Sequence, residues 1–197
     1  MATAVLLHKG QKKKACHVIG IVGPISAGKS TVADLIRECG QDAGCQFTNI
    51  KMAGPLKDML RSIGLSQDEI EGDMKERPSD KLCGRTPRWA MQSLGTEWGR
   101  DLIHPDLWIN LWCMRVKATL ARGIMVTSDD VRYQNEVDVV REFGGTIIEV
   151  QRPSLVAAND HKSEALKVGG DIVIKNDGSI EDLRLKVAAA LELWKNV

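Results

Sequence analysis

The stretch HVIGIVGPISAGKST, His17 to Thr31, constrains this chain more than any other. An apolar run, HVIGIV, gives way at once to small residues around a single lysine. The helical pattern TVADLIREC follows. Gly23, Gly28, Lys29 and Ser30 satisfy the spacing G-x-x-x-x-G-K-[ST] of the phosphate-binding loop. Glycine permits close approach and dihedrals that other residues avoid, so successive backbone N–H groups converge on one anion. A helix starting at about Gly28 adds partial positive charge at its N-terminus. Lys29 then reaches the β- and γ-phosphates of a nucleoside triphosphate, and Ser30 offers its hydroxyl to Mg²⁺. The strand before the loop and the helix after it are the context the motif requires. The motif identifies an NTP as ligand, not the use made of it.

The bulk properties narrow that use. A chain of 197 residues reads as one domain. With 43% hydrophobic and 27% charged residues and a net charge of +1, it has no general attraction for nucleic acid or an anionic membrane. No apolar run is long enough to span a bilayer. The cysteines, Cys16, Cys39, Cys45, Cys83 and Cys113, are odd in number and form no CxxC pair. They read as small apolar residues in a reducing cytoplasm, not as a disulfide framework or zinc site. In MATAVLLHKGQKKKAC the basic run follows the apolar patch, the wrong order for a secretory signal. Residues 1–16 are read as an extension, with the folded domain over 17–197.

Strand and helix patterns alternate along the domain, as in a parallel sheet covered by helices. Strands are expected at 17–22, 45–50, 123–128, 145–150 and 171–176. Helices are expected at 29–40, 55–63, 87–101, 106–121, 132–143 and 179–195, the last capped by Ser179 with Glu181 and Asp182 in its first turn. The connection over about 51–122 is too long for a plain crossover and reads as an insertion for a second substrate. Within it, residues 66–85 are polar and read as an irregular surface loop.

Open parallel sheets bind ligands beyond the carboxyl ends of their strands. The segments there, KMAGPLKDML, DDVRYQNE, RPSLVAANDHKSE and NDGS, are rich in charge. On a helix over 84–103, a spacing of about 100° per residue puts Arg88, Gln92, Gly95, Thr96 and Gly99 on one face. Met91, Leu94, Trp98 and Leu102 fall on another, which is expected to meet the core. The first face offers a cation, an amide and a hydroxyl, with glycines leaving room for a ligand.

Four segments resemble the bacteriophage deoxynucleoside monophosphate kinases: GPISAGKST, AGPLKDML, GRTPRWAMQSLGTEWGRDLIHPDLWIN and DVRYQNEVDVVREFGGTIIEV. The resemblance runs from about His17 to the C-terminus. It implies an α/β, three-layer P-loop NTPase fold with a five-stranded parallel sheet, a helical insertion for the acceptor nucleotide and a lid over about 152–168. It also implies transfer of the ATP γ-phosphoryl to a deoxynucleoside 5′-monophosphate with Mg²⁺, for phage DNA precursor supply. A related reading is another small-molecule kinase of the same fold, such as one resembling dephospho-coenzyme A kinase.

Carried over, the resemblance assigns Gly23, Ser26, Ala27, Gly28, Lys29, Ser30 and Thr31 to the ATP phosphates and metal. Lys57, Arg85, Thr86, Arg88 and Gln92 fall to the acceptor, with Arg88 on the transferring group as the alternative; Trp89, read from its place beside Arg88, is a candidate to stack on the base. Asp130 and Arg132 fall beside the transferring group. Asp130 has two functional readings, as a holder of Mg²⁺ through water and as an orienter of Arg132, and the bland reading of a helix N-cap. Asp129 beside it leaves open which aspartate acts. Arg152 is expected to close over ATP, and Asn176 and Gly178 to form a turn against adenine. His161 in the lid is the weakest candidate. The partner expected is the small-molecule acceptor, with no stable nucleic acid, no membrane and a homodimer left open.

Overall fold

The computed structural model describes residues 18–153 and 169–195, the last four by backbone alone. The expected extension, most of the expected lid with His161, and the Trp194 side chain lie outside the described residues. The first half runs β1 (Val18–Val22), α1 (Lys29–Asp42), β2 (Phe47–Asn49), α2 (Gly54–Ser62), α3 (Gln67–Ile70) and two short 3₁₀ turns, Asp73–Glu76 and Asp80–Leu82. Then come α4 (Pro87–Ser93), a π-helical continuation (Leu94–Ile103), α5 (Leu107–Leu120), β3 (Met125–Ser128), α6 (Gln134–Glu142), β4 (Thr146–Gln151), β5 (Ile172–Lys175) and α7 (Ile180–Lys195).

The five strands form one parallel sheet in the order β2-β3-β1-β4-β5. The central strand β1 is buried along its whole length, which explains its unbroken apolar sequence. Its alternating side chains feed two cores. Ile19 and Ile21 pack with Val32, Ile36, Val187 and Leu191 from α1 and α7. Val18 and Val22 pack with Trp112, Val116, Val137 and Val140 from α5 and α6. The result is the three-layer α/β arrangement, as expected.

The insertion between β2 and β3 builds a third, smaller core from Leu56, Leu60, Leu65, Ile70 and Trp108. Residues 66–85 are therefore more ordered than their polarity implied. Ser66 and Glu69 close a reciprocal capping box at the start of α3. Glu69 also accepts from the Ser79 hydroxyl at 2.6 Å and Lys81 at 2.8 Å, tying the segment across itself. Ile70 is buried beneath it. Leu82 packs against the same core, so two apolar anchors in a polar stretch hold the segment, a signal that mean polarity hides.

The register pairs Gly20 of β1 with Ser128, the last residue of β3, so β1 runs two residues further before the phosphate loop begins. The chain leaves β1 for α1 on one face of the sheet and leaves β3 for α6 on the other. A crevice at such a divergence is the site where open α/β sheets bind ligands.

Candidate active site

The phosphate loop is shaped by contacts that only its own residues allow. Gly23 has φ +145°, and a Cβ there would lie 2.4 Å from the Val150 carbonyl oxygen of β4. Ser26 (φ 63°) and Gly28 (φ 99°) take left-handed conformations, which curl the backbone so that its amides face inward. Helix α1 then begins at Lys29 with neither a side-chain cap nor an acidic residue in its first turn. Its amide-rich end is thus left for an external anion. The Lys29 ammonium donates to the carbonyls of Gly23 (2.8 Å) and Pro24 (2.7 Å), across the loop.

Two later strands brace this loop. From the end of β5, Asn176 Nδ2 donates to the Ala27 carbonyl at 2.8 Å and lies against Gly28, where a Cβ would sit 2.5 Å from it. From the end of β4, Arg152 Nη1 donates to the Ser26 carbonyl at 3.3 Å. Ser30 and Thr31 are exposed in the first turn of α1. Gly178 is exposed beside Asp182, whose carboxylate accepts from the Ser179 amide and hydroxyl as the cap of α7. The capping expected at Ser179 is present.

The two aspartates after β3 have separate surroundings. Asp129 is buried and its Oδ2 accepts from the Ser30 hydroxyl at 2.6 Å. Its Oδ1 is buried with no hydrogen-bond partner among the described residues. An orphaned carboxylate oxygen beside the phosphate-loop hydroxyl is a donor set that fits a hard divalent cation. Asp130 turns the other way. Its two oxygens accept from the amides of Met52 (2.7 Å) and Ala53 (3.0 Å), stapling β3 to the start of α2. Burial pushes its carboxyl above the ordinary aspartate range, against the pull of those two amides. The sequence reading put Asp130 forward for the metal and left open which aspartate acts; the unpaired oxygen beside Ser30 belongs to Asp129, and Asp130 caps two amides.

A chain of charge leads from Asp129 into the insertion. Lys51 lies 3.9 Å from Asp129 and 3.4 Å from Glu71, and Lys57 lies 2.8 Å from Glu71. Burial opposes the Lys51 charge, but Asp129, Glu71 and Asp130 outweigh it and raise its pKa. Burial likewise works against the Glu71 carboxylate, and the two lysines prevail and lower its pKa. Lys57 was expected here. Lys51 and Glu71 were not, and the position of Lys51 immediately after a strand was the available signal.

Helix α4 presents the remaining acceptor candidates. Thr86 is its N-cap, accepting from the Trp89 amide at 3.1 Å, and Pro87 follows. The Arg85 guanidinium lies over the Trp89 ring, 4.8 Å from its centroid, and the ring is 47% exposed. Arg88 Nε pairs with Glu76 at 2.5 Å, and Gln92 is exposed. Met91 and Leu94 pack on the third core as expected, but beyond Ser93 the helix widens into π geometry and the expected faces fail toward its end. Gly99 is buried against Trp108, whose indole nitrogen donates to the Gly95 carbonyl at 2.7 Å. Trp98 and Leu102 are exposed instead of core. A π turn holds more residues than an α turn, so a phase counted at α spacing slips. Gly99 thus makes room for a tryptophan, whereas a Cβ at Gly95 would lie 3.5 Å from Leu56, in ordinary contact.

The π segment also carries a residue missed in the sequence. Arg100 Nη2 pairs with Glu136 at 2.6 Å, Nη1 donates to the Pro105 carbonyl at 3.1 Å, and the guanidinium lies over the Tyr133 ring at 4.2 Å. Glu136 in turn accepts from the amides of Arg132 (2.7 Å) and Tyr133 (3.1 Å). The Arg132 side chain is exposed and makes no ion pair among the described residues.

Sheet order, phosphate loop and the Ser30–Asp129 contact together define a phosphate-loop α/β protein. The APS kinase CysC of Mycobacterium tuberculosis, solved with AMPPNP and APS, shares this fold at a TM-score of 0.51, with 10% identity over 89% of this chain and 97% of that one. TT1252 from Thermus thermophilus does so at 0.51, with 18% identity over 91% and 98%. A sequence model described as deoxynucleotide monophosphate kinase matches residues 79–187. A mimivirus protein (Acanthamoeba polyphaga mimivirus) named as a deoxynucleotide monophosphate kinase is 32% identical over 89% of this chain and 96% of its own length. The deoxynucleotide monophosphate kinase of Enterobacteria phage T4 is 32% identical over 75% of this chain and 64% of its own. The chain belongs to the deoxynucleotide monophosphate kinase family.

Proposed function

We propose that this chain transfers the γ-phosphoryl group of ATP to a deoxynucleoside 5′-monophosphate, giving a deoxynucleoside diphosphate and ADP. The observation that carries this reading is the Ser30–Asp129 contact, which joins the phosphate loop to the end of β3 beside cations from the insertion. An acceptor phosphate oxygen attacks the γ-phosphorus while the bond to the β,γ-bridging oxygen breaks, and ADP leaves with that electron pair. Phosphoryl transfer of this kind needs alignment and charge neutralisation more than covalent help.

The residues divide that work. The loop amides, Gly23 to Thr31, cradle the donor phosphates, and Lys29 exchanges its loop carbonyls for phosphate oxygens. Ser30 and Asp129 are the residues that would hold Mg²⁺, which when bound spreads the triphosphate charge. Arg152 and Asn176, already on the loop carbonyls, flank ATP, with the Asn176–Gly178 turn on the adenine side. Lys57 and Arg88 take the acceptor phosphate once it replaces Glu71 and Glu76, and Arg132 faces the transferring group. Arg85 and Trp89 form a flat cationic platform suited to a base. Gln92 adds an amide for its edge. The insertion over about 51–122 is thus the acceptor side of the enzyme.

A coupled ADP-release assay with dAMP, dGMP, dCMP, dTMP and dephospho-coenzyme A as acceptors tests this. At least one deoxynucleotide is expected to stimulate ADP release strongly. Stimulation by dephospho-coenzyme A alone would move the protein to the related kinase reading, and no stimulation would remove the reaction.

A further inference from the structure

We propose that Arg100 and Glu136 are positioning residues that hold the acceptor helix in register with the loop bearing Asp129 and Arg132. This deepens the phosphoryl-transfer reading and rests on it. Helix α4 and its π continuation form one uninterrupted rod from Pro87 to Ile103. Near one end stand Arg88, Trp89 and Gln92, the proposed acceptor contacts. Near the other stands Arg100, and its only carboxylate partner among the described residues is Glu136, at 2.6 Å.

Glu136 is 3% exposed, so its charge survives burial only if every oxygen is used. One oxygen accepts from Arg100 Nη2, and the other takes the backbone amides of Arg132 and Tyr133. Arg100 is equally committed, to Glu136, the Pro105 carbonyl and the Tyr133 ring. A second tie, Asn135 Nδ2 to Asp106 at 2.7 Å, joins α6 to the N-cap of α5, the helix that follows the rod. A fully satisfied buried network admits one arrangement and resists neighbouring ones. The backbone of Arg132 is therefore fixed by a residue of the acceptor rod. The π winding supplies the phase: it turns Gly99 into the Trp108 indole and sets Arg100, next in the chain, toward Glu136.

Misplacement of reacting groups by about 1 Å costs about 10²-fold in rate. Arg100→Met is accordingly expected to lower kcat by about 10²-fold, with the KM for ATP within about twofold of wild type. The deciding experiment places the same substitution in an Arg132→Ala background. If Arg100 acts through Arg132, kcat there changes by less than about twofold; a full further loss overturns the proposal. Glu136→Gln, which keeps an oxygen for the two amides, is expected to retain more turnover than Glu136→Ala, and equal losses count against it. If Arg100→Met does not fold, Arg100→Lys, which keeps charge but loses the fork, is read in the same way. The amide proton resonances of Arg132 and Tyr133 give a readout without turnover. They are expected to shift in Arg100→Met, and unmoved amides overturn the brace. Inactivity of the wild-type chain toward every deoxynucleotide would instead remove only the proposed reaction.

Discussion

Two adjacent aspartates after one strand end in different chemistry because a strand end turns successive side chains to opposite sides. Asp129 meets Ser30 and keeps one oxygen unpaired, whereas Asp130 closes on two amides. The variants should separate cleanly. Asp129→Asn is expected to lower kcat by about 10²-fold or more, the scale of losing one charge-stabilising group, with unfolding in urea little changed. Asp130→Ala leaves two buried amides unpaired and is expected to cost about 1–3 kcal/mol per amide in urea unfolding. The reverse pattern would return the metal to Asp130. The sequence DDVR showed that a carboxylate belonged here, but the choice between neighbours depends on strand register, which no local pattern encodes.

At the scale of single elements, the strands and most helices were legible because their periodicity is strong and their ends carry glycine, proline or a capping serine. The exceptions are α3, hidden in a polar stretch, and α4 with its π continuation, read to 101 at one constant pitch. Its start at Thr86-Pro87 was written in the chain; its change of winding after Ser93 was not. That change is driven by tertiary contact, since Trp108 needs both the Gly95 carbonyl and the space at Gly99. A Cβ at Gly99 would meet the indole at 2.5 Å. Gly99→Ala is therefore expected to destabilise the protein by about 1–3 kcal/mol through overpacking. Thermal unfolding followed by tryptophan fluorescence reads both the loss and the displaced indole. The isosteric-looking exchange Gly84→Ala meets no atom within 4 Å and differs only in its backbone, with φ +84°.

At the scale of the whole molecule, the alternation of strand and helix patterns foretold a parallel sheet, and the phosphate loop marked the edge at which Ser30 meets Asp129. The insertion was visible as a length but not as a body with its own core. Its polar part is held through Glu69, whose carboxyl is brought down to about 2, first by Lys81 and then by Ser66 and Ser79. A carboxyl lowered in the folded state stabilises it above the unfolded value of 4.5, and that stabilisation is lost as pH falls from there toward about 2. The melting temperature of the wild type is thus expected to drop more steeply below about pH 4.5 than that of Glu69→Gln, whose insertion no longer titrates at this position. Parallel curves would place the acid sensitivity elsewhere. The contact between Gly23 and the Val150 carbonyl has a consequence at this scale as well. No side chain fits between the phosphate loop and β4, so the depth at which a triphosphate sits is inherited from the spacing of two neighbouring strands. Drift at position 23 is closed to evolution, and the floor of the nucleotide pocket is a property of the sheet itself.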